Sequence, residues 1–138
     1  MKKIVVETTR KTEVINVTQQ LATLVEGMGD GLVFFSVPHT TAALIICEDD
    51  PELREDIIKV VENVFADIRP FRHIKKNNPN AEAHILSALA GTSIVVAIEG
   101  GQLGLGTYQN LLLVEMDGPQ SREIRYKVLA EQGDSMSC

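Results

Sequence analysis

An α+β fold with a mainly antiparallel or mixed sheet and about three helices is what three features of the sequence predict. Strand-like runs come in pairs separated by helical segments, and there are too few helices to supply a crossover for every strand. The run Ser121 to Glu131 alternates apolar and charged residues, setting Ile124, Tyr126, Val128 and Ala130 against charges, the period of a strand with one wet face. A doubly wound parallel sheet is disfavoured on the same grounds.

Taken in order, Lys3 to Thr8 and Glu13 to Val17 are rich in Val, Ile and Thr around the polar Thr9 to Thr12, and predict a first β-hairpin. Thr18 reads as the N-cap of a short amphipathic helix with Leu21, Leu24 and Val25 on one face, stopping at Gly27 and Gly29. Gly31 to Val37 and Ala42 to Glu48 are nearly continuous apolar runs and predict central strands buried on both faces. Asp50 and Pro51 form a cap and first turn, after which Leu53, Ile57, Val60, Val61, Val64 and Phe65 recur at helical spacing as far as about Ala66. Arg69 to Asn80, with two prolines and three asparagines, predicts a surface loop of the kind that carries function. A third helix starts near Asn78 or Asn80 and ends at Gly91, with Ala81, Ile85, Ala88 and Leu89 toward the core. Thr92 to Glu99 reads as a strand, Gly100 and Gly101 as a tight connection, and Thr107 to Met116 as a long strand ending at the turn Asp117, Gly118, Pro119.

The length of 138 residues suits one domain over 1–138 with a core that needs no staples. A net charge of −6 argues against a broad nucleic-acid or anionic-membrane footprint, which would require a basic surface. Cys47 and Cys138 do not form a disulfide framework, and the opening MKKIVVETTRK has too short an apolar run for a signal peptide; the expectation is a cytoplasmic protein.

The chemistry concentrates at His39, Thr40 and Thr41, a polar junction between two apolar runs whose side chains need hydrogen-bond partners or a ligand. His73 and His84 are the other two of the three histidines. Together with Glu48 they form the strongest candidate constellation: neutral imidazoles suit zinc or a similar ion, and a carboxylate can complete the shell or act on a bound water. The spacing carries no HExxH pattern, so the fold must bring them together, and a hydrogen-bonded structural histidine is the competing interpretation of each. Arg69, Arg72, Lys75 and Lys76 place positive charge around His73, where an anionic small molecule could be met. The glycines between Gly100 and Gly106 fit turns better than a phosphate loop. Ser87 fits a small packing residue better than a nucleophile, and Cys47 a small buried hydrophobe.

The segments HTTAALIICEDDPEL, FRH, NAEAHILSALAGTS, EGGQLGLGTYQ and EMDGP, running in register from about Gly31 to Pro119, resemble the small YjbQ-like family, known both as an uncharacterised protein family and as secondary thiamine-phosphate synthase. Departures from its pattern are Cys47 in place of a common asparagine, Tyr108 in place of tryptophan, and Glu82 in place of histidine or aspartate. The resemblance implies a sheet curled toward a pseudo-barrel, a trimer of identical chains, and a cavity lined by the histidine motifs. It implies a weak or secondary activity joining a pyrimidine methyl diphosphate to a thiazole phosphate with loss of diphosphate. On it, His39, His84 and Glu48 are the expected catalytic residues, and Thr40, Asn80 and Gln109 the expected binders of a phosphate-bearing substrate, with Arg72 of the basic cluster added to them on charge. His39, His73 and His84 are the expected ligands of a divalent metal, zinc or magnesium. A metal-dependent hydrolase and a non-catalytic trimeric binding module are the alternatives.

Overall fold

The computed structural model describes residues 1–75 and 77–132; Lys76 and Cys138, both named above, lie outside the described residues. The elements follow in the order β1 (Lys2–Glu7), β2 (Glu13–Asn16), α1 (Thr18–Leu24), β3 (Gly31–Ser36), β4 (Ala42–Cys47), α2 (Pro51–Asn63), α3 (Ala81–Ala90), β5 (Ser93–Glu99), β6 (Gln102–Leu103), β7 (Asn110–Glu115) and β8 (Ser121–Ala130). They form a curled five-stranded sheet, ordered β1-β8-β3-β5-β6, and a three-stranded sheet, ordered β2-β7-β4. Each strand pairing is antiparallel, which meets the α+β expectation.

The layers follow from which side chains are apolar. Val33, Phe35, Val96, Ile98 and Ile124 of the larger sheet meet Leu44, Leu111 and Leu113 of the smaller one, with Val17, Leu21 and Val25 around α1 closing the cluster. On the other face of the smaller sheet, Ala43, Val114 and Met116 pack on Ala83 of α3, with Val61 and Leu86 against them. Strand β7 is therefore covered on both faces and reads as an unbroken apolar run, each fully buried leucine stabilising by about 1.5–3 kcal/mol. The smaller sheet is the middle layer, and its two ends are where the polar chemistry collects.

Several sequence expectations are corrected. The segments β1 and β2 do not form a hairpin: β1 pairs with β8 in the larger sheet and β2 with β7 in the smaller. The chain changes sheet between them because Thr8 and Thr12 are drawn inside and Arg10 lies directly over Gly118, where a Cβ would meet the Arg10 carbonyl oxygen at 2.1 Å. Thr18 is not the N-cap of α1; Val17 occupies that position, and the Thr18 hydroxyl accepts the Leu111 N–H at 2.8 Å, tying α1 to β7. Strand β3 is central but alternately buried, and β4 is an edge strand.

The helix α2 begins as expected, with the Asp50 carboxylate accepting from the N–H groups of Glu52 and Leu53 and Pro51 in the first turn. None of its residues is fully buried, and Val60 remains 56% exposed. In α3 the expected core face is misplaced: Ala81, Ala83 and Ser87 are buried, while Ile85 and Leu89 face outward. Small residues win the inner face because they let the helix approach β4, and the Ser87 hydroxyl donates to the Ala42 carbonyl at 2.7 Å. Gly100 and Gly101, with φ of 58° and 75°, make the two-residue turn between β5 and β6, a backbone shape that favours glycine at both positions. The long strand before the Asp117 turn starts at Asn110, three residues later than Thr107.

A buried ion pair joins the two sheets. Glu115 at the end of β7 is fully buried and Arg122 on β8 is 2% exposed. The Arg122 guanidinium donates to both carboxylate oxygens, through Nε at 2.9 Å and through Nη2. The same Nη2 donates to the Thr41 hydroxyl at 2.8 Å and carbonyl at 3.2 Å. Thr8 donates to Glu115 at 2.7 Å, and the Met116 and Asp117 N–H groups donate at 3.0 and 3.1 Å. Burial alone would raise the Glu115 pKa, but the hydrogen bonds from Arg122, Thr8 and the Asp117 backbone outweigh it and hold the carboxyl below its ordinary 4.5.

Removing one partner strands a charge in the interior. Arg122→Met is expected to lower the unfolding free energy by about 3–5 kcal/mol in urea titrations, whereas Arg122→Met with Glu115→Leu recovers most of that loss. Because the folded pKa of Glu115 is depressed, its contribution is present above about 4.5 and is lost as pH falls through the lower folded value. Acid unfolding of Glu115→Gln should accordingly show a shallower pH dependence below that point than the native chain.

Candidate functional site

At the start of β4, the loop carrying His39 and Thr40 is pulled in by its neighbour Thr41, whose hydroxyl is spent on Arg122. The His39 Nε2 accepts the backbone N–H of Glu123 at 2.8 Å, which places the ring proton on Nδ1. Burial and then the positive charge of Arg122 push its pKa below the ordinary 6.5, outweighing the opposing pull of Glu123 and Glu115. His39 is therefore a neutral imidazole that fixes this loop to β8. Thr40 is exposed.

The other two histidines meet. His73 comes back beside α3, so that the His73 and His84 rings lie edge to face, with centroids 4.9 Å apart and planes at 87°. One turn before His84, the Asn80 amide donates to Asp117 at 2.9 Å, while its Oδ1 is buried without a hydrogen-bond partner. Asp117 also accepts from Lys11 at 2.8 Å and from Asn78. Its burial, which would raise the pKa, is outweighed by these donors, so the carboxyl stays ionised below its usual range. A cleft of about 190 Å³ opens beside Asn80, bordered by Lys11, Arg69, Glu82 and Met116. Arg69 is clamped by Glu82 through two bonds of 2.7 Å, which removes it from the expected free basic cluster. Arg72 and Lys75 are exposed and, among the described residues, make no ion pair.

Glu48 and Gln109 stand elsewhere. Strands β4 and β7 pair from Ala42 opposite Glu115 to Cys47 opposite Asn110, so Glu48 and Gln109 lie just beyond the far end of this ladder. At 3.2–3.4 Å per residue, Glu48 is roughly 20 Å along the strand from Thr41. The Gln109 Oε1 accepts the Gly106 N–H at 2.8 Å and folds its own turn, leaving the amide NH2 outward. Nearby Asp49 is held by Arg54 through bonds of 2.5 and 2.7 Å and by Asn16, which brings its pKa down to about 2.

The expected metal donors are thus divided. No group of three His, Cys, Asp or Glu side chains gathers within reach of one ion among the described residues. Two imidazoles with a third committed to Glu123 fit neither a four-ligand structural nor a three-ligand catalytic zinc centre within one chain. Sequence reasoning also missed Glu115, Arg122 and Asp117. The signal for Arg122 was present, since it shares the parity of Ile124 and Tyr126 and so points to the core side of β8.

The fold and these residues define an α+β protein of two stacked antiparallel sheets with a paired-histidine end. The chain belongs to the UPF0047 protein YjbQ-like family, whose profile matches residues 2–131. It is similar to a UPF0047 protein of Archaeoglobus fulgidus, 39% identical over 92% of this chain and 99% of the relative. The UPF0047 protein YugU of Bacillus subtilis is 31% identical over 94% and 98% of the two chains. Among solved structures, a hypothetical protein of Aeropyrum pernix K1 superposes with a TM-score of 0.86 at 36% identity, covering 94% of this chain and 98% of the other. An uncharacterised conserved protein of Clostridium acetobutylicum, of the YjbQ/UPF0047 family, gives 0.85 at 32% identity, covering 94% and 100%.

The His39 assignment predicts a distinct titration. In NMR pH titrations its imidazole should have a midpoint below 6.5. Arg122→Met should move that midpoint upward by removing the positive charge beside it. A midpoint at or above the ordinary value in the native chain would contradict the acceptor role of Nε2.

Proposed function

We propose that this chain is a transferase-type enzyme of the secondary thiamine-phosphate synthase kind, acting on a small phosphate-bearing substrate. The observation that carries the proposal is the meeting of His73 and His84, from a loop and a helix, beside the exposed cations Arg72 and Lys75. Imidazole N–H groups, a guanidinium and an ammonium are the donors that a departing diphosphate requires, because negative charge builds on its bridging oxygen as the bond to carbon breaks. The unpartnered buried Oδ1 of Asn80 supplies an acceptor for a substrate N–H, a group that an aminopyrimidine offers. Thr40, exposed on the HTT loop, is available to a substrate as a hydroxyl donor. These residues would meet the substrate phosphates directly, since the imidazoles of one chain fall short of a zinc centre among the described residues.

A hydrolase using Glu48 as base on water is less well supported, because Glu48 lies along β4 from the HTT loop, at the other end of the smaller sheet. The test is product formation from a pyrimidine methyl diphosphate and a thiazole phosphate, with release of diphosphate measured in parallel. His84→Ala and His73→Ala are each expected to lower kcat/KM by about 10- to 100-fold, the loss of one charge-assisted hydrogen bond, and Arg72→Ala to raise KM. Diphosphate binding measured by calorimetry should weaken in the same three variants. A native chain that forms no product, or variants that match it in both measurements, would defeat the proposal.

A further inference from the structure

We infer that the slot beneath α2 is a binding site for a small cationic amphiphile, an alkyl or aryl amine whose hydrocarbon body lies between α2, α3 and the smaller sheet. The slot measures about 310 Å³, and ten of its eleven lining residues are apolar. Ala43 and Val114 of the smaller sheet border it on one side, Leu53 and Ile57 of α2 and Leu86 of α3 on the others. That volume falls among small-molecule pockets, and is about twice the roughly 150 Å³ of an apolar cavity that holds benzene.

The way α2 is anchored keeps the slot in being. Leu53, Ile57, Val60 and Val61 give this helix an apolar stripe, yet none of its residues is fully buried. Its firm attachments are polar and sit at its two ends. At the first, Arg54 donates to Asp49 at 2.5 and 2.7 Å and to the Val14 carbonyl at 3.3 Å, tying the helix to β2. At the second, Arg69 donates to the Glu62 carbonyl at 2.5 Å and to Glu82 of α3 at 2.7 Å. With both ends bonded, the middle of α2 stands off Ala43 and Val114, and an inserted hydrocarbon completes their apolar surroundings without moving the helix.

The rim sets the charge of the ligand. Asp56 borders the slot, is exposed, and makes no ion pair among the described residues. Around it α2 carries Glu52, Glu55 and Glu62 against Lys59 alone, since Arg54 is spent on Asp49. An ammonium therefore meets a free carboxylate at the mouth, whereas a carboxylate or phosphate head is repelled. This separates the slot from the histidine end in chemistry, although Val61, Leu86 and Met116 also border the Asn80 cleft.

Methyl NMR titrations with hexylamine, octylamine, octanol and octanoate test the site without requiring turnover at the histidine pair. Saturable shifts at Ala43, Ile45 and Val114 are expected with the amines, affinity rising about fourfold for each added methylene. Octanoate should bind more weakly than octylamine. Asp56→Asn should weaken octylamine about two- to fivefold and leave octanol unchanged. Ala90→Phe, which adds a ring at the slot from the exposed side of α3, should weaken octylamine about tenfold, the contribution of nearly two methylenes. Val60→Phe, from α2, is the second blocking variant should the first fold poorly by circular dichroism. Shifts that fail to saturate, that survive both blocking variants, or that octanoate produces as strongly as octylamine would overturn the assignment. Slot shifts that follow protein concentration rather than added amine would also overturn it, making a second copy of the chain the occupant.

Discussion

The Glu115–Arg122 pair is the interaction on which the arrangement depends. It is the point at which the smaller sheet, through β7, is bonded to the larger sheet, through β8, and it recruits Thr8 beyond β1 and Thr41 before β4. A buried ion pair adds little net stability over a well-packed apolar substitute, but any stacking of the two sheets that separates the charges leaves them unpaired in the interior. The pair thereby fixes how one sheet sits on the other, and by holding Thr41 it sets where the His39 loop emerges.

Most elements were legible because they are written locally. The cap at Asp50, the glycine stop at Gly91 and the alternation of β8 each depend on a few adjacent residues, and the structure places them as the sequence suggests. The failures are non-local. Adjacent β1 and β2 looked like a hairpin because turn-like residues separate them, yet their partners lie more than a hundred positions away in β8 and ninety or more in β7. The inner face of α3 was misjudged because hydrophobicity alone favours Ile85 and Leu89, whereas close approach to β4 favours Ala83 and Ser87. Arg122 was passed over because arginine is expected outside, although its parity pointed inward.

The candidate site was legible as a set of residues and illegible as a place. The motifs naming His39, His73, His84, Glu48, Asn80 and Gln109 suggest one constellation, but one chain distributes them. His39 becomes a neutral acceptor that secures a loop, His73 and His84 come together, and Glu48 and Gln109 stand at the opposite end of the ladder. Spacing along the sequence could not distinguish these outcomes, because strand direction decides which end of a sheet each residue occupies.

The pairing of β1 with β8 also has a bearing on how the protein is made. Residues 2–7 have as their ladder partners residues 121–126, so β1 stays unpaired until more than a hundred further residues have been made. Strand β2 waits similarly for β7. At about 5–20 residues per second the wait lasts several seconds, long enough for a chaperone to bind the exposed Ile4, Val5 and Val6. Closure of the larger sheet consequently waits for β8, and a high share of long-range pairing makes it slow relative to helix formation.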